Sequence, residues 1–188
     1  MKKILIAAAL ASLSAASFAA PESFAIDPTH TSQSFSYNHM GFTTQTHGFD
    51  RSSGKIVIDR AAKTGSVDVV IDAKSIDGGS ALFTGHLQSE DFFNVEKFPE
   101  ITYKSSSVKF EGDKPVSVEG LLTIKGVSKP VTLKIDHYVL QPNSMLKKDQ
   151  IGANATAVIK RSEFGLAQYV PYVSDELTLK IAVEAIKE

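Results

Sequence analysis

The sequence predicts an all-β fold: eight or nine antiparallel strands, closed into a barrel or stacked as a sandwich, with one short helical insertion near residues 78–98. Three observations predict it. Apolar and polar residues alternate with period two along most of the chain after Ala20, turn-forming residues cut that alternation at regular intervals, and helical spacing replaces it in a single stretch.

The first alternating segments lie near residues 23–27 and 32–40, where Phe35 and Tyr37 alternate with Ser34, Ser36 and Asn38. Segments near 44–50, 54–60 and 66–73 follow, with turns expected at Arg51–Gly54 and Asp59–Gly65 from their Gly and Asp content. Neighbouring N-terminal segments are expected to merge. The insertion opens at Gly78-Gly79 and carries Leu82, Phe83 and Leu87 at helical offsets; Phe92, Phe93 and Val95 follow, then Phe98-Pro99. Beyond it, segments near 100–110, 116–125, 130–141, 150–161 and 175–186 are separated by Glu111–Pro115, a hairpin turn centred on Gly126 and the polar connection Pro142–Asp149. The last segment is the clearest, with Leu177, Leu179, Ile181, Val183 and Ala185 alternating with Thr178, Lys180, Ala182 and Glu184. Successive strand side chains point to opposite faces, so one face is buried and the other wet, as antiparallel sheets require. Closing the sheet removes the exposed edges on which it would otherwise aggregate.

Composition excludes several functions. The 188 residues are 43% hydrophobic and 22% charged with a net charge of −1 and no basic patch, which argues against disorder and against nucleic acid as a partner. The absence of cysteine excludes disulfides, thiol catalysis and thiolate metal sites. Residues 1–19 are expected to be a cleaved secretory leader: Lys2 and Lys3 precede the apolar run Ile4–Leu13, and Ser17 and Ala19 occupy the −3 and −1 positions. That leaves one domain over residues 20–188 and a periplasmic or secreted location.

Catalytic and metal motifs are missing. His30, His39, His47, His86 and His137 form no His-x-His or His-Glu-x-x-His pattern, so no metal is expected. No Gly-x-Ser-x-Gly elbow, phosphate loop or dinucleotide fingerprint occurs. Glu90-Asp91 is an acidic pair beside a helix, most simply a solvated surface. Asp27 and His30 fit a structural turn.

Particular segments are more specific. Ile26-Asp27-Pro28-Thr29-His30, Phe35 and His39-Met40-Gly41 are followed by Gly48-Phe49 and Gly54-Lys55-Ile56, then Ile71–Ile76, His86-Leu87, Asp91–Val95 and Phe98-Pro99. Gly120–Val127 with Lys129-Pro130-Val131, Arg161–Gly165 and Val173–Leu177 complete the series. In this order the motifs cover nearly the whole chain after the leader, and the chain resembles the YceI-like family. The resemblance implies an extended eight-stranded antiparallel barrel, lipocalin-like in form, in a periplasmic or secreted protein that is not an enzyme and requires no cofactor. It also implies a bound isoprenoid lipid, such as the polyprenyl tail of a ubiquinone-type quinone, for carriage or storage. Three departures stand out: Phe83-Thr84 where an Arg-Asp pair is common, Gly78-Gly79-Ser80 in the loop before it, and Glu163 in place of an Asp, which is expected to keep an interaction near Arg161.

Under that reading the cavity wall comprises Phe35, Tyr37, Ile58, Val69, Ile71, Leu82, Phe83, Phe92, Phe93, Tyr103, Leu122, Ile124, Leu133, Ile135 and Phe164. His39 and Arg161, with the Tyr37 hydroxyl, are the candidates for a polar mouth facing a quinone head. Burying four or five isoprene units removes roughly 15–20 kcal/mol of apolar exposure relative to water, gross, so the barrel is expected to stay unfilled along its axis. Against a bilayer the difference is far smaller, which suits loading and release through transient membrane contact. A periplasmic enzyme using His39 or Asp91, and a secreted interaction protein with incidental lipid, are the two open alternatives; monomer and homodimer are equally compatible with the sequence.

Overall fold

The computed structural model describes residues 20–188; the expected leader lies outside the described residues. Five strands precede the insertion: β1 (Glu22–Ile26), β2 (Ser32–His39), β3 (Thr43–Phe49), β4 (Ser52–Asp59) and β5 (Thr64–Asp72). A single 3-10 turn, the two-residue strand β6 (Ile76–Asp77) and the helix α1 (Ala81–Gln88) form the insertion's first half. Five longer strands complete the chain: β7 (Glu100–Glu111), β8 (Lys114–Ile124), β9 (Val127–Asn143), β10 (Lys148–Lys160) and β11 (Glu176–Lys187).

The strands close into an eight-membered antiparallel ring, β1-β4-β5-β7-β8-β9-β10-β11, with β11 returning to β1. Strand β11 is shared. Along Thr178–Ala182 it pairs with β2, and along Ala185–Lys187 with β1. Strands β2, β3 and β6 therefore extend the wall at one end of the barrel instead of merging with their neighbours. Two-sided alternation explains the ring: Leu177, Ile159, Ile124, Leu122 and Ile101 are buried while Leu121 and Val158 on the outer face are exposed.

Local chemistry places the turns. Between β8 and β9 only Lys125 and Gly126 intervene, both with positive φ (51° and 76°), as the tight hairpin turn that suits twisted strands requires. The Ser80 hydroxyl caps α1 by accepting from the Phe83 amide at 3.3 Å. One expectation is corrected: Gly54 does not belong to a turn but lies inside β4, opposite Val69 of β5. A Cβ there would stand 2.1 Å from the Asp68 carbonyl oxygen, so glycine is required by the close approach of β5. Gly54→Ala is expected to lose at least about 2 kcal/mol in urea unfolding, since the clash is with backbone.

Packing is uneven along the barrel axis. Near one end Ile159 pairs with Leu177, and at the other Ile151 pairs with Ala185. A small cluster of Phe24, Ile26, Ile56, Ile58, Ile151 and Ala185 packs that second end, where Phe24 and Ala185 have no solvent exposure. The larger cluster surrounds the first end together with α1 and the residues after it.

Candidate ligand cavity

Between the two clusters lies a cavity of about 180 Å³ lined from all eight ring strands, among them Ile58, Val69, Ile71, Tyr103, Leu122, Ile124, Leu133 and Ile135. A dry apolar cavity of roughly 150 Å³ accepts benzene, so this space holds a short stretch of hydrocarbon as it stands. A second space of about 130 Å³ sits at the α1 end, between Tyr37, His39, Phe83, His86, Phe92, Gln168, Tyr169 and Val173. The two share Phe35, Phe93, Arg161, Leu166 and Leu177 as wall. The expected continuous channel is thus two adjoining compartments. Phe35, Phe49 and Phe93 stand at the partition with ring centroids 5.6 to 6.1 Å apart, and the end opposite α1 is packed.

Of the residues expected to form the wall, Phe35, Ile58, Val69, Ile71, Phe93, Tyr103, Leu122, Ile124, Leu133, Ile135 and Phe164 line the inner compartment. Tyr37, Phe83 and Phe92 line the outer one, together with His39, and Arg161 borders both. Leu82 is the exception: its side chain is 89% exposed on the outside of α1. Phe83 and Leu87 are four residues apart and share the inward face of the helix, and the 100° step between neighbours turns Leu82 away.

The polar groups differ in what they have left to offer. Tyr103 donates to the carbonyls of Val118 (2.9 Å) and Val131 (3.0 Å), and burial pushes its phenol up to about 12. Its hydroxyl belongs to the wall. Arg161, only 6% exposed, donates to the carbonyls of Ser174 (2.8 Å), Leu166 (2.5 Å), Gln168 (2.8 Å) and Val173 (3.0 Å). Burial lowers its pKa, opposed by the nearby Asp175 charge. Glu163 is exposed, and the Arg161 side-chain bonds all go to backbone carbonyls. Asp175 is the acid of this corner, accepting from the Ser162 amide (2.8 Å) and hydroxyl (2.7 Å). Four carbonyls from one loop thus converge on a single guanidinium, which folds residues 166–174 over the mouth.

The mouth also contains imidazoles that sequence motifs did not single out. The His47 ring is buried, lies 5.0 Å from the Phe83 ring, and its Nε2 is 3.3 Å from the Tyr37 hydroxyl. His86 packs 4.6 Å from Phe92. Burial lowers the His47 pKa, with the Asp77 backbone acting in the opposite direction. A base depressed by folding contributes its full stability above the unfolded value of 6.5 and loses it as pH falls through the folded value. Urea midpoints are therefore expected to drop between about pH 7.5 and pH 5, and His47→Phe to flatten that slope. Leu166, Gln168, Tyr169 and Val173 were not expected in the wall. The uncharged run Phe164–Ser174 was their only signal in the chain.

Outside the barrel Asp27, His30 and Glu184 form the one three-residue grouping of metal-ligand type among the described residues. Its geometry is that of a turn. The Asp27 carboxylate accepts from the Thr29 hydroxyl (2.7 Å) and amide (2.8 Å) and faces His30 at 2.9 Å, and these bonds, the Thr29 hydroxyl foremost, hold its pKa down to about 2.

Comparison with known proteins places this architecture. The model of the YceI-like domain matches residues 24–185. The chain is 32% identical to Protein YceI of Salmonella arizonae and 30% identical to a UPF0312 protein of Shewanella putrefaciens, each over 192 aligned positions covering all of both chains. A crystallised YCEI protein of Campylobacter jejuni superposes with a TM-score of 0.65 at 31% identity, covering 76% of this chain and 84% of that one. Two more distant structures share the fold. Burkholderia cenocepacia BcnA has a TM-score of 0.72 at 23% identity and covers 85% of this chain and 98% of its own. A polyisoprenoid binding domain from Saccharophagus degradans has a TM-score of 0.66 at 17% identity and covers 88% and 98%. The ring of eight strands, the hairpin at Gly126 and the full-length match together establish that this chain belongs to the YceI-like family.

Proposed function

We propose that the protein binds a long-chain isoprenoid lipid in its barrel, either a polyprenyl chain or the tail of a ubiquinone-type quinone, and acts in carriage or storage. The observation that carries this reading is the pair of compartments: an apolar chamber packed shut at one end and continued at the other by an aromatic and histidine-lined mouth. A tail would lie in the inner compartment and a polar head between His39, His86 and Tyr37. The name of the Saccharophagus degradans domain, a polyisoprenoid binding domain of the same fold, supports this ligand class. A chain of several isoprene units exceeds about 180 Å³, so Phe35 and Phe93 must swing aside to join the two spaces. The inner compartment offers an almost wholly apolar surface; of the two residues on which an enzyme would rely, Asp91 is exposed and lines neither compartment, and His39 lines only the outer one. On this reading the protein acts without catalysis and without a cofactor, in the periplasm once the leader is cleaved, and exchanges its lipid during transient contact with a membrane.

Native mass spectrometry on protein isolated from its own host tests this. The expected result is a co-purifying apolar ligand of polyprenyl or polyprenyl-quinone mass in a one-to-one complex. A barrel that is empty in its own host, and that takes up no polyprenyl lipid when offered one, overturns the reading.

A further inference from the structure

The mouth is bordered by three segments that share an unusual composition. Pro28–Phe49, Gly78–Ser89 and Phe164–Ser174 contain no Asp, Glu, Lys or Arg, although 22% of the whole chain is charged. They come from three places in the sequence and the fold brings them to one end. His39 forms a bridge with Val173, the Ser174 amide donates to the Asn38 carbonyl at 3.1 Å, and the Phe83 ring lies 5.0 Å from His47.

Five large apolar or aromatic side chains project from these segments into solvent: Met40 (52% exposed), Phe42 (81%), Leu82 (89%), Tyr169 (53%) and Tyr172 (74%). Each belongs to the mouth or adjoins it. Tyr169 lines the outer compartment itself; Met40 and Phe42 form the turn after His39, Leu82 precedes Phe83, and Tyr172 precedes Val173. The β2–β3 turn holds Met40 and Gly41 at positive φ (55° and 77°), with the Phe42 amide bonded to the His39 carbonyl at 3.0 Å, so the phenylalanine is displayed by an ordered hairpin. Exposed apolar groups clustered at one place mark an interaction surface, and tyrosines suit a boundary between water and hydrocarbon. The charged residues that flank these segments are Asp27, Asp50, Asp77, Glu90, Glu163 and Asp175, all acidic.

We propose that this uncharged rim docks the barrel, mouth down, on the surface of an electrically neutral lipid bilayer. The inference rests on the lipid-binding reading for its purpose, since a cargo that dissolves in membranes must cross between bilayer and cavity. The docking itself rests on the rim. Insertion of Phe42, Leu82 and Tyr172 into the interface supplies the attraction, and the acidic border opposes anionic headgroups. Binding is accordingly insensitive to salt on zwitterionic vesicles and weakened by anionic lipid, the reverse of a basic-patch mechanism.

The test is co-flotation of the chain from residue 20, whose strand ring is complete without the preceding residues, with vesicles of phosphatidylcholine and phosphatidylethanolamine. The protein is expected to float with them equally at low salt and at about 0.5 M NaCl. Added phosphatidylglycerol is expected to reduce binding at low salt. Phe42→Ser combined with Tyr172→Ser, both at exposed positions, is expected to lower partitioning by about tenfold or more with an unchanged urea midpoint. Absence of flotation overturns the proposal, as does flotation that needs anionic lipid and disappears in salt, or a double variant that floats like the parent. A dimer that the double substitution converts to monomer would assign the rim to a second copy of the chain instead. Ligand content, measured on the same samples, separates the two readings: a barrel that carries isoprenoid but does not float loses only the docking, and one that floats but takes up no isoprenoid loses only the cargo.

Discussion

Replacing Ala155 by phenylalanine is expected to exclude the ligand from the barrel without unfolding it. Ala155 lies on β10 between Ile135 and Ile181, is 8% exposed, and lines the inner compartment. A phenyl ring there occupies much of a space of about 180 Å³. Filling a cavity recovers on the order of 24 cal/mol per Å³, so the variant is expected to be as stable as the parent or up to about 2 kcal/mol more stable. The ligand, by contrast, loses the burial of about one isoprene unit, roughly 4 kcal/mol, and its affinity falls at least about a hundredfold. Val158→Phe is the control, because Val158 is 59% exposed on the outer face of the same strand and should change neither property. Wild-type stoichiometry of isoprenoid in the Ala155→Phe protein would place the lipid outside this chamber.

The second large effect concerns stability. Arg161→Met is expected to cost about 3–5 kcal/mol, because it leaves four carbonyls of residues 166–174 without the charged donors that gather them. Arg161→Lys is expected to recover only part of the loss: an ammonium presents its donors from one point, whereas the guanidinium spreads them across a plane that reaches four separate oxygens. Urea unfolding of both variants measures this. A Met variant within about 1 kcal/mol of the parent would mean that the loop carbonyls find other partners. The same four bonds bear on ligand recognition. A guanidinium so fully engaged with backbone acts on the mouth by holding the loop that supplies Gln168, Tyr169 and Val173.

Much of the architecture follows from the chain alone. Alternation identified the inward faces of β5, β8 and β9 residue by residue, and Val69, Ile71, Leu122, Ile124, Leu133 and Ile135 all line the inner compartment. The hairpin at Gly126 and the interruption around α1 were equally readable, since a two-residue turn and a change of period are local properties. Leu82 was misplaced for a reason of the same kind: a stripe of three apolar residues on a helix too short to define its own axis leaves the inward direction open, and contact with β3 and the residues after α1 decided it in favour of Phe83 and Leu87.

What only the tertiary structure decided is everything that depends on distance across the barrel. Period two says which side chains point inward; it says nothing of whether they meet. Phe35, Phe49 and Phe93 divide the interior because strands β2 and β3 and the segment after α1 converge there, and Phe24 and Ala185 pack the far end because β11 passes from β2 to β1 along its length. Arg161 holds a loop by hydrogen bonds to carbonyls, groups that every residue carries and no sequence pattern marks. The alternating residues therefore specified which side chains face inward, and both the closure of the wall and the space left inside it were set by how strands distant in sequence come together in the sheet.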